Sequence, residues 1–342
     1  MTGTARTTGT VKVAVMGTGS WGTTFGIVLA DAGAQVAMWG RRPEVCDEVS
    51  QRHRNSAYLG DIPLPPTMTA TTDAAQALDG AAIVVLAVPS QTLRANLEGW
   101  LPALPGDAVL VSLMKGVELG TMLRMSEVVA QTAKVGPERV AVVSGPNLAK
   151  EIAVRQPTAT VVACADLAVA DRVAAACSAP YFRPYTQTDV VGVELGGAVK
   201  NVIALAVGIA EGMGFGDNTK ASLITRGLAE TTRLGLALGA DPATMAGLAG
   251  LGDLVATCAS PLSRNRTFGV EMGRGLSVAE VVARTSQTAE GVKSCRSILE
   301  LARAHGVDMP IAEQVVAAVH EGLPVAEMAA RLLGRPRKFE LA

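Results

Sequence analysis

The chain has 342 residues, 49% of them hydrophobic and 18% charged, with a formal net charge of -1. That length is comfortable for two domains, and the apolar content excludes an intrinsically disordered chain. The near-neutral balance gives no general attraction to nucleic acid or to an anionic membrane, so any anion binding must come from a local cluster. Aromatic residues are only 3%, which suits helices packed on a sheet better than an aromatic-rich β-sandwich.

Residues 1–10 (MTGTARTTGT) are small and polar, and read as a disordered tail rather than a signal peptide. From residue 11 the chain alternates β-branched runs with helical patterns. Strands are expected at 11–16, 35–39, 82–87, 108–112, 140–143, 159–164 and 182–185, with helices at 21–32, 42–52, 122–133 and 165–178. Strands separated by helices imply parallel βαβ units. The continuous apolar run IVVLAV at 83–88 implies a sheet covered on both faces. From about residue 190 strand-like runs vanish, and helices are expected at 190–212, 217–238, 242–249, 263–273, 277–283, 288–304, 310–319 and 324–333. The expected fold class is α/β: a doubly wound Rossmann-type dinucleotide-binding domain over 11–189, an all-α substrate domain over 190–335, and a tail at 336–342. The apolar stretch 190–210 carries Glu194, Lys200 and Asn201, so it reads as a buried helix and not a membrane span. The cysteines Cys46, Cys164, Cys177, Cys258 and Cys295 show no CxxC pair or metal spacing. They read as small buried hydrophobes in a reducing compartment, and a cytoplasmic chain is expected. His53, His305 and His320 lie far apart in helical contexts, so no metal site is expected.

The first expected strand runs into Gly17-Thr18-Gly19-Ser20-Trp21-Gly22 and then into a helix. In that context the glycines are a dinucleotide-binding turn: Gly17 for the tight turn, Gly19 for approach of the pyrophosphate, Gly22 for helix–strand packing. The helix N-terminus offers free N–H groups to the phosphates. After the second strand stands Trp39-Gly40-Arg41-Arg42, with no carboxylate before Glu44. Two guanidinium groups suit a ribose 2′-phosphate, which favours NADPH without excluding NADH. The same pair also fits a solvated helix start. Ala87-Val88-Pro89-Ser90 closes the 82–87 strand, where it either lines the ligand crevice or simply ends the strand.

Further polar groups stand where a plain core needs none: Ser112-Leu113-Met114-Lys115-Gly116 and Gly145-Pro146-Asn147-Leu148-Ala149 at strand ends, and Lys200 within Glu194-Leu195-Gly196-Gly197-Ala198-Val199-Lys200-Asn201. Gly196, Gly197, Lys200 and Ala204 share one helix face, leaving room for another backbone or a ligand beside the lysine. A lysine there either snorkels to water or serves a function. Gly250-Leu251-Gly252-Asp253-Leu254 and Ser263-Arg264-Asn265-Arg266-Thr267-Phe268-Gly269 follow. Together with the Gly17–Gly22 turn, these segments in this order closely resemble the bacterial NAD(P)-dependent glycerol-3-phosphate dehydrogenase family, from about residue 11 to about residue 333.

The resemblance implies interconversion of sn-glycerol 3-phosphate and dihydroxyacetone phosphate, supplying glycerol 3-phosphate for phospholipid synthesis, by a homodimer using NADP or NAD. It implies Lys200 as the proton acceptor, Lys115 between substrate and nicotinamide, and Gly145 and Asn147 at the substrate. Asp253 would help hold the substrate and orient Lys200. Ser263, Arg264 and Asn265 would grip the substrate phosphate, with Arg264 also reaching the cofactor. Ser20, Trp21, Arg41, Ala149, Thr288 and Glu290 would serve the dinucleotide. Asn147 stands where many relatives carry Ser or Thr, Leu148 where many carry Phe, and Thr288 where Val is common. The rival readings are a two-domain dehydrogenase of the 6-phosphogluconate or hydroxyacid type, and a catalytically silent NADP(H) sensor.

An unperturbed lysine has a pKa of about 10.4, whereas a general base works best nearer ~7–8. Burial, Lys115 and Arg264 would lower that of Lys200, and Asp253 and a bound phosphate would raise it. In the reduction direction a protonated Lys200 is the acid needed, so reduction is expected to be the easier direction near neutral pH.

Overall fold

The computed structural model describes residues 10–284 and 289–334. The expected tails, residue 10 apart, and Thr288 lie outside the described residues. The strands are β1 (Lys12–Met16), β2 (Gln35–Trp39), β3 (Met68–Thr71), β4 (Ile83–Leu86), β5 (Val109–Ser112), β6 (Val140–Ser144), β7 (Thr158–Ala163) and β8 (Phe182–Gln187). They form one sheet in the order β3-β2-β1-β4-β5-β6-β7-β8, so the chain reverses its direction of travel between β1 and β4. Between the strands lie α1 (Ser20–Asp31), α2 (Pro43–Arg52), α3 (Ser56–Leu59), α4 (Ala74–Leu78), α5 (Leu93–Trp100), α6 (Met125–Ala133), α7 (Ala149–Ala153) and α8 (Leu167–Ala176). After the sheet come α9 (Val190–Gly212), α10 (Asp217–Ala237), α11 (Pro242–Ala246), α12 (Asp253–Ala259), α13 (Arg264–Gly273), α14 (Val278–Arg284), α15 (Glu290–Ala304), α16 (Pro310–His320) and α17 (Val325–Leu333).

Side chains on β1 alternate between two cores. Val13 and Val15 pack with Phe25, Ile27 and Val28; Ala14 and Met16 pack with Leu93, Leu97 and Trp100. Both faces are therefore covered, which is why the β4 run IVVL is apolar throughout.

Three sequence expectations are corrected. The sheet has a strand that the residues did not announce, β3, parallel to β2 at one edge. Its sequence MTAT is short and half polar, as an edge position tolerates. Second, β7 runs antiparallel to β6, and β8 is parallel to β7. The connection between them, residues 145–157, carries the five-residue α7 and returns the chain antiparallel beside β6. Third, the expected helix at 242–249 stops at Ala246 as α11, its last residues belong to a π-helical turn at Leu248–Gly252, and that turn leads into α12, a helix that was not expected.

The helical half is built around α9, whose apolar length is enough to cross a bilayer but is 89% buried inside the protein. Glycines bring α13 against it: a Cβ on Gly208 would stand 2.1 Å from the Arg266 carbonyl oxygen, and one on Gly269 2.3 Å from that of Leu205. Glu194, near the start of α9, accepts hydrogen bonds from Arg124, from the Ser126 backbone N–H and from the Ser126 hydroxyl. Burial pushes its carboxyl above the usual range, and the Arg124 charge opposes that shift. These bonds tie α9 to the start of α6. All five cysteines are free and buried. The three histidines sit at helix ends: His53 and His305 as C-caps and His320 as the last residue of α16.

Candidate active site

The dinucleotide turn needs its glycines for nameable reasons. Gly17 has φ 142°, and a Cβ there would lie 2.3 Å from the Ala87 carbonyl oxygen. A Cβ on Gly22 would lie 2.4 Å from the Gly17 carbonyl oxygen. Gly19 faces open space, with nothing within 4 Å of such a Cβ, and α1 has no side-chain cap. The leading N–H groups of α1 are thus presented to that space, together with the positive end of the helix dipole. The Trp21 indole Nε1 is buried without a partner. An uncapped helix end, a side-chain-free approach and an orphaned donor fit a dinucleotide pyrophosphate. At the end of β2, Arg42 is engaged, stacked 5.2 Å from the Tyr58 ring centroid and 4.0 Å from Glu44. Arg41 is exposed and, among the described residues, has no ion pair.

Past the carboxyl ends of β5 and β6, a cation pair meets one buried carboxylate. Lys115 Nζ donates to Asp253 Oδ2 at 2.6 Å and to the Gly145 carbonyl at 3.1 Å. Lys200 Nζ donates to Asp253 Oδ1 at 2.5 Å and to Thr257 Oγ1 at 2.7 Å. Asp253, only 1% exposed, therefore gives one oxygen to each lysine and stands as the holder of both. Burial is the largest influence on Lys200; with Lys115 beside it, burial outweighs the pull of Asp253 and takes the pKa down to about 8. The lysine does not snorkel.

The glycines of α9 make this approach possible. A Cβ on Gly196 would meet the Ala249 carbonyl oxygen at 2.5 Å, so the π-helical turn before Asp253 lies directly on α9. One on Gly197 would meet Ser144 Oγ at 2.6 Å and the Lys115 side chain at 3.3 Å. Ser144 Oγ and Asn147 Oδ1 are buried without partners, while Asn147 Nδ2 donates to Thr160 Oγ1.

The start of α13 adjoins the same place. Ser263 caps that helix by accepting from the Arg266 N–H. Asn265 Nδ2 donates to Asn201 Oδ1, and Asn265 Oδ1 accepts from the Gly291 N–H, each at 2.9 Å. This chain joins α9, α13 and α15 one residue beyond Lys200. Arg264 is exposed and, among the described residues, unpaired. Ala149 opens α7, and its carbonyl accepts from Thr24 Oγ1 on α1. Glu290 opens α15 and accepts from Ser90 Oγ at 2.8 Å.

Family profiles match both halves: one described as the NAD-dependent glycerol-3-phosphate dehydrogenase N-terminus over residues 12–170, the other as its C-terminus over residues 189–330. The chain belongs to the NAD-dependent glycerol-3-phosphate dehydrogenase family. Members similar to it include the Streptomyces griseus glycerol-3-phosphate dehydrogenase (NAD(P)+), 67% identical over 330 residues, which are 96% of this chain and 98% of that protein. The Thermobifida fusca enzyme of the same name is 64% identical over the same shares. Among solved structures, glycerol-3-phosphate dehydrogenase from Coxiella burnetii superposes with a TM-score of 0.91 at 36% identity, covering 95% of this chain and 99% of that one.

Within this family frame, the folded chain gathers Lys115, Gly145, Lys200 and Asp253 through direct contacts, and Asn265 through Asn201. Sequence reasoning missed Thr257, Asn201 and Ser90 as contacts of these residues. Thr257 follows Asp253 by four positions, the spacing that puts both on one helix face. The partnership of Ser90 with Glu290, 200 residues apart, leaves no local signal.

Proposed function

We propose that this chain interconverts dihydroxyacetone phosphate and sn-glycerol 3-phosphate with NAD(P), supplying glycerol 3-phosphate for phospholipid synthesis. The observation that carries the reading is the buried Asp253 carboxylate shared by Lys115 and Lys200, beside an exposed Arg264 at a helix start. Bound nicotinamide supplies the hydride chemistry. Lys200 gives its proton to the C2 oxygen in reduction and takes it back in oxidation. Lys115 adds a second cation near that oxygen, where negative charge develops. Asp253 keeps both ammonium groups in place and, with Gly145 and Asn147, helps hold the substrate. Ser263, Arg264 and Asn265 hold the phosphate, whose binding energy fixes the reacting carbon. Ser20, Trp21, Ala149, Arg264 and Glu290 contact the dinucleotide.

The test is absorbance at 340 nm with dihydroxyacetone phosphate and each cofactor across pH. With Lys200 near 8, roughly nine in ten are protonated at pH 7, so the acid form needed for reduction prevails there. Reduction kcat/KM should be level below pH 8 and fall about tenfold per pH unit above it, while oxidation rises with the same midpoint. Absence of turnover with dihydroxyacetone phosphate would reject the assignment; 6-phosphogluconate oxidation would favour the rival dehydrogenase class.

NADPH is preferred over NADH in this reading, and Arg41 carries the preference because Arg42 is engaged by Tyr58. Arg41→Ala should raise the NADPH KM by about tenfold and leave the NADH KM within about twofold, as loss of one charge-assisted phosphate contact requires. Arg42→Ala should change the ratio less. Equal effects of Arg41→Ala on both cofactors would show that the 2′-phosphate is held elsewhere. The five free, buried cysteines support a cytoplasmic setting. The exposed apolar Leu251, Val255 and Leu262 support a homodimer through the helical half.

A further inference from the structure

Ser90 is 2% exposed and begins the turn that follows β4 and Pro89. Its hydroxyl donates to Glu290 Oε2 at 2.8 Å, so a residue at the end of a sheet strand holds the first residue of a helix from the other half. The Lys115–Gly116 turn is shaped to allow it. A Cβ on Gly116 would stand 2.8 Å from Ser90 Oγ and 2.9 Å from Ser294 Oγ, so a side chain at 116 would displace both hydroxyls. Ser294 Oγ has no partner, which leaves Glu290 as the group that fixes the Ser90 hydroxyl. The neighbouring seam is built in the same way. Gln91 Nε2 and Ser297 Oγ both donate to the Val117 carbonyl at 2.8 Å, and the Leu119 N–H donates to Gln91 Oε1. The β4 turn, the lysine-bearing turn and α15 are thus stitched together next to the crevice at the carboxyl ends of β1 and β4, where such sheets take dinucleotides.

We propose that Ser90 is a positioning residue for the cofactor: it fixes the Glu290 carboxylate across that crevice, so that the helical half helps retain the dinucleotide. The inference rests on the proposed function only for the cofactor, not for the substrate. A carboxylate at the first position of α15 is free to rotate into solvent; the buried hydroxyl removes that freedom before the cofactor arrives.

The experiment is a fluorescence titration of NADPH into the full-length chain and into Ser90→Ala, Glu290→Ala and the double variant. Ser90→Ala should weaken binding about tenfold, in line with losing a hydrogen bond to a charged group. In the Glu290→Ala background the same change should have little further effect, because Ser90 acts through that carboxylate. A purely structural serine would lower the melting temperature in both backgrounds and give additive losses. Unchanged NADPH affinity in Ser90→Ala, or full additivity in the double variant, overturns the proposal. The titration needs no turnover. A chain that binds NADPH and weakens as described, yet never reduces dihydroxyacetone phosphate, would therefore overturn the substrate reading and uphold this one.

Discussion

Alanine at position 200 is expected to lower the turnover of dihydroxyacetone phosphate by about a thousandfold or more at pH 7, the upper part of the range for losing a general acid. NADPH affinity should stay within about twofold, since the dinucleotide rests on the Gly17–Gly22 turn and the open end of α1. Lys115 is a poor substitute because its ammonium group is already committed to Asp253 and to the Gly145 carbonyl. The variant should fold: Asp253 keeps Lys115 as its counter-charge, so no buried carboxylate is left alone. Stopped-flow absorbance at 340 nm with a parallel NADPH titration separates the two effects. Turnover within about tenfold of the parent would remove Lys200 from the proton transfer. Undetectable turnover in the parent with every phosphate-bearing ketone, alongside tight NADPH binding, would revive the silent sensor.

The parts of this site that were legible in the sequence are those where backbone geometry restricts the residue type. Gly17 and Gly22 are glycine because a Cβ would strike a carbonyl oxygen, and that demand is written at fixed spacing beside a strand and a helix. The Gly196-Gly197 pair was readable as room beside Lys200 for the same reason; the room is filled by the Ala249–Gly250 backbone and by Lys115 and Ser144. What the residues concealed depends on contacts between distant segments. Gly250 and Gly252 stand outside every expected helix, yet they belong to a π-helical turn packed on α9 that delivers Asp253 to two lysines. Such turns gather at functional sites, but no residue pattern marks them. The reversal of β7 was hidden because the segment between β6 and β7 is long enough for a strand of either direction, and nothing within β7 states which. The Lys200 pKa lay beyond the residues as well: desolvation and Asp253 push in opposite directions, and only the depth of burial settles which prevails.

Asparagine at 253 is the sharpest probe of that balance. It keeps the shape of aspartate but offers one acceptor oxygen where two ammonium groups require one each, and its amide N–H then faces a cation. One lysine must lose its partner. Orphaning a buried charge costs about 3–5 kcal/mol when it cannot neutralise, and Lys200 escapes part of that cost by shedding its proton. The sign follows from the opposing influences: Asp253 raises the Lys200 pKa, while burial and Lys115 lower it, so removing the carboxylate moves it below 8. Asp253→Asn should therefore shift the midpoint of the reduction pH profile to lower pH and reduce kcat/KM at pH 7 by roughly a hundredfold to a thousandfold. Thr257, still accepting from Lys200, cannot replace the lost charge because a hydroxyl is neutral. A profile whose midpoint stays near 8 or moves upward would show that Asp253 does not govern the proton on Lys200, and the paired-lysine mechanism would fail with it.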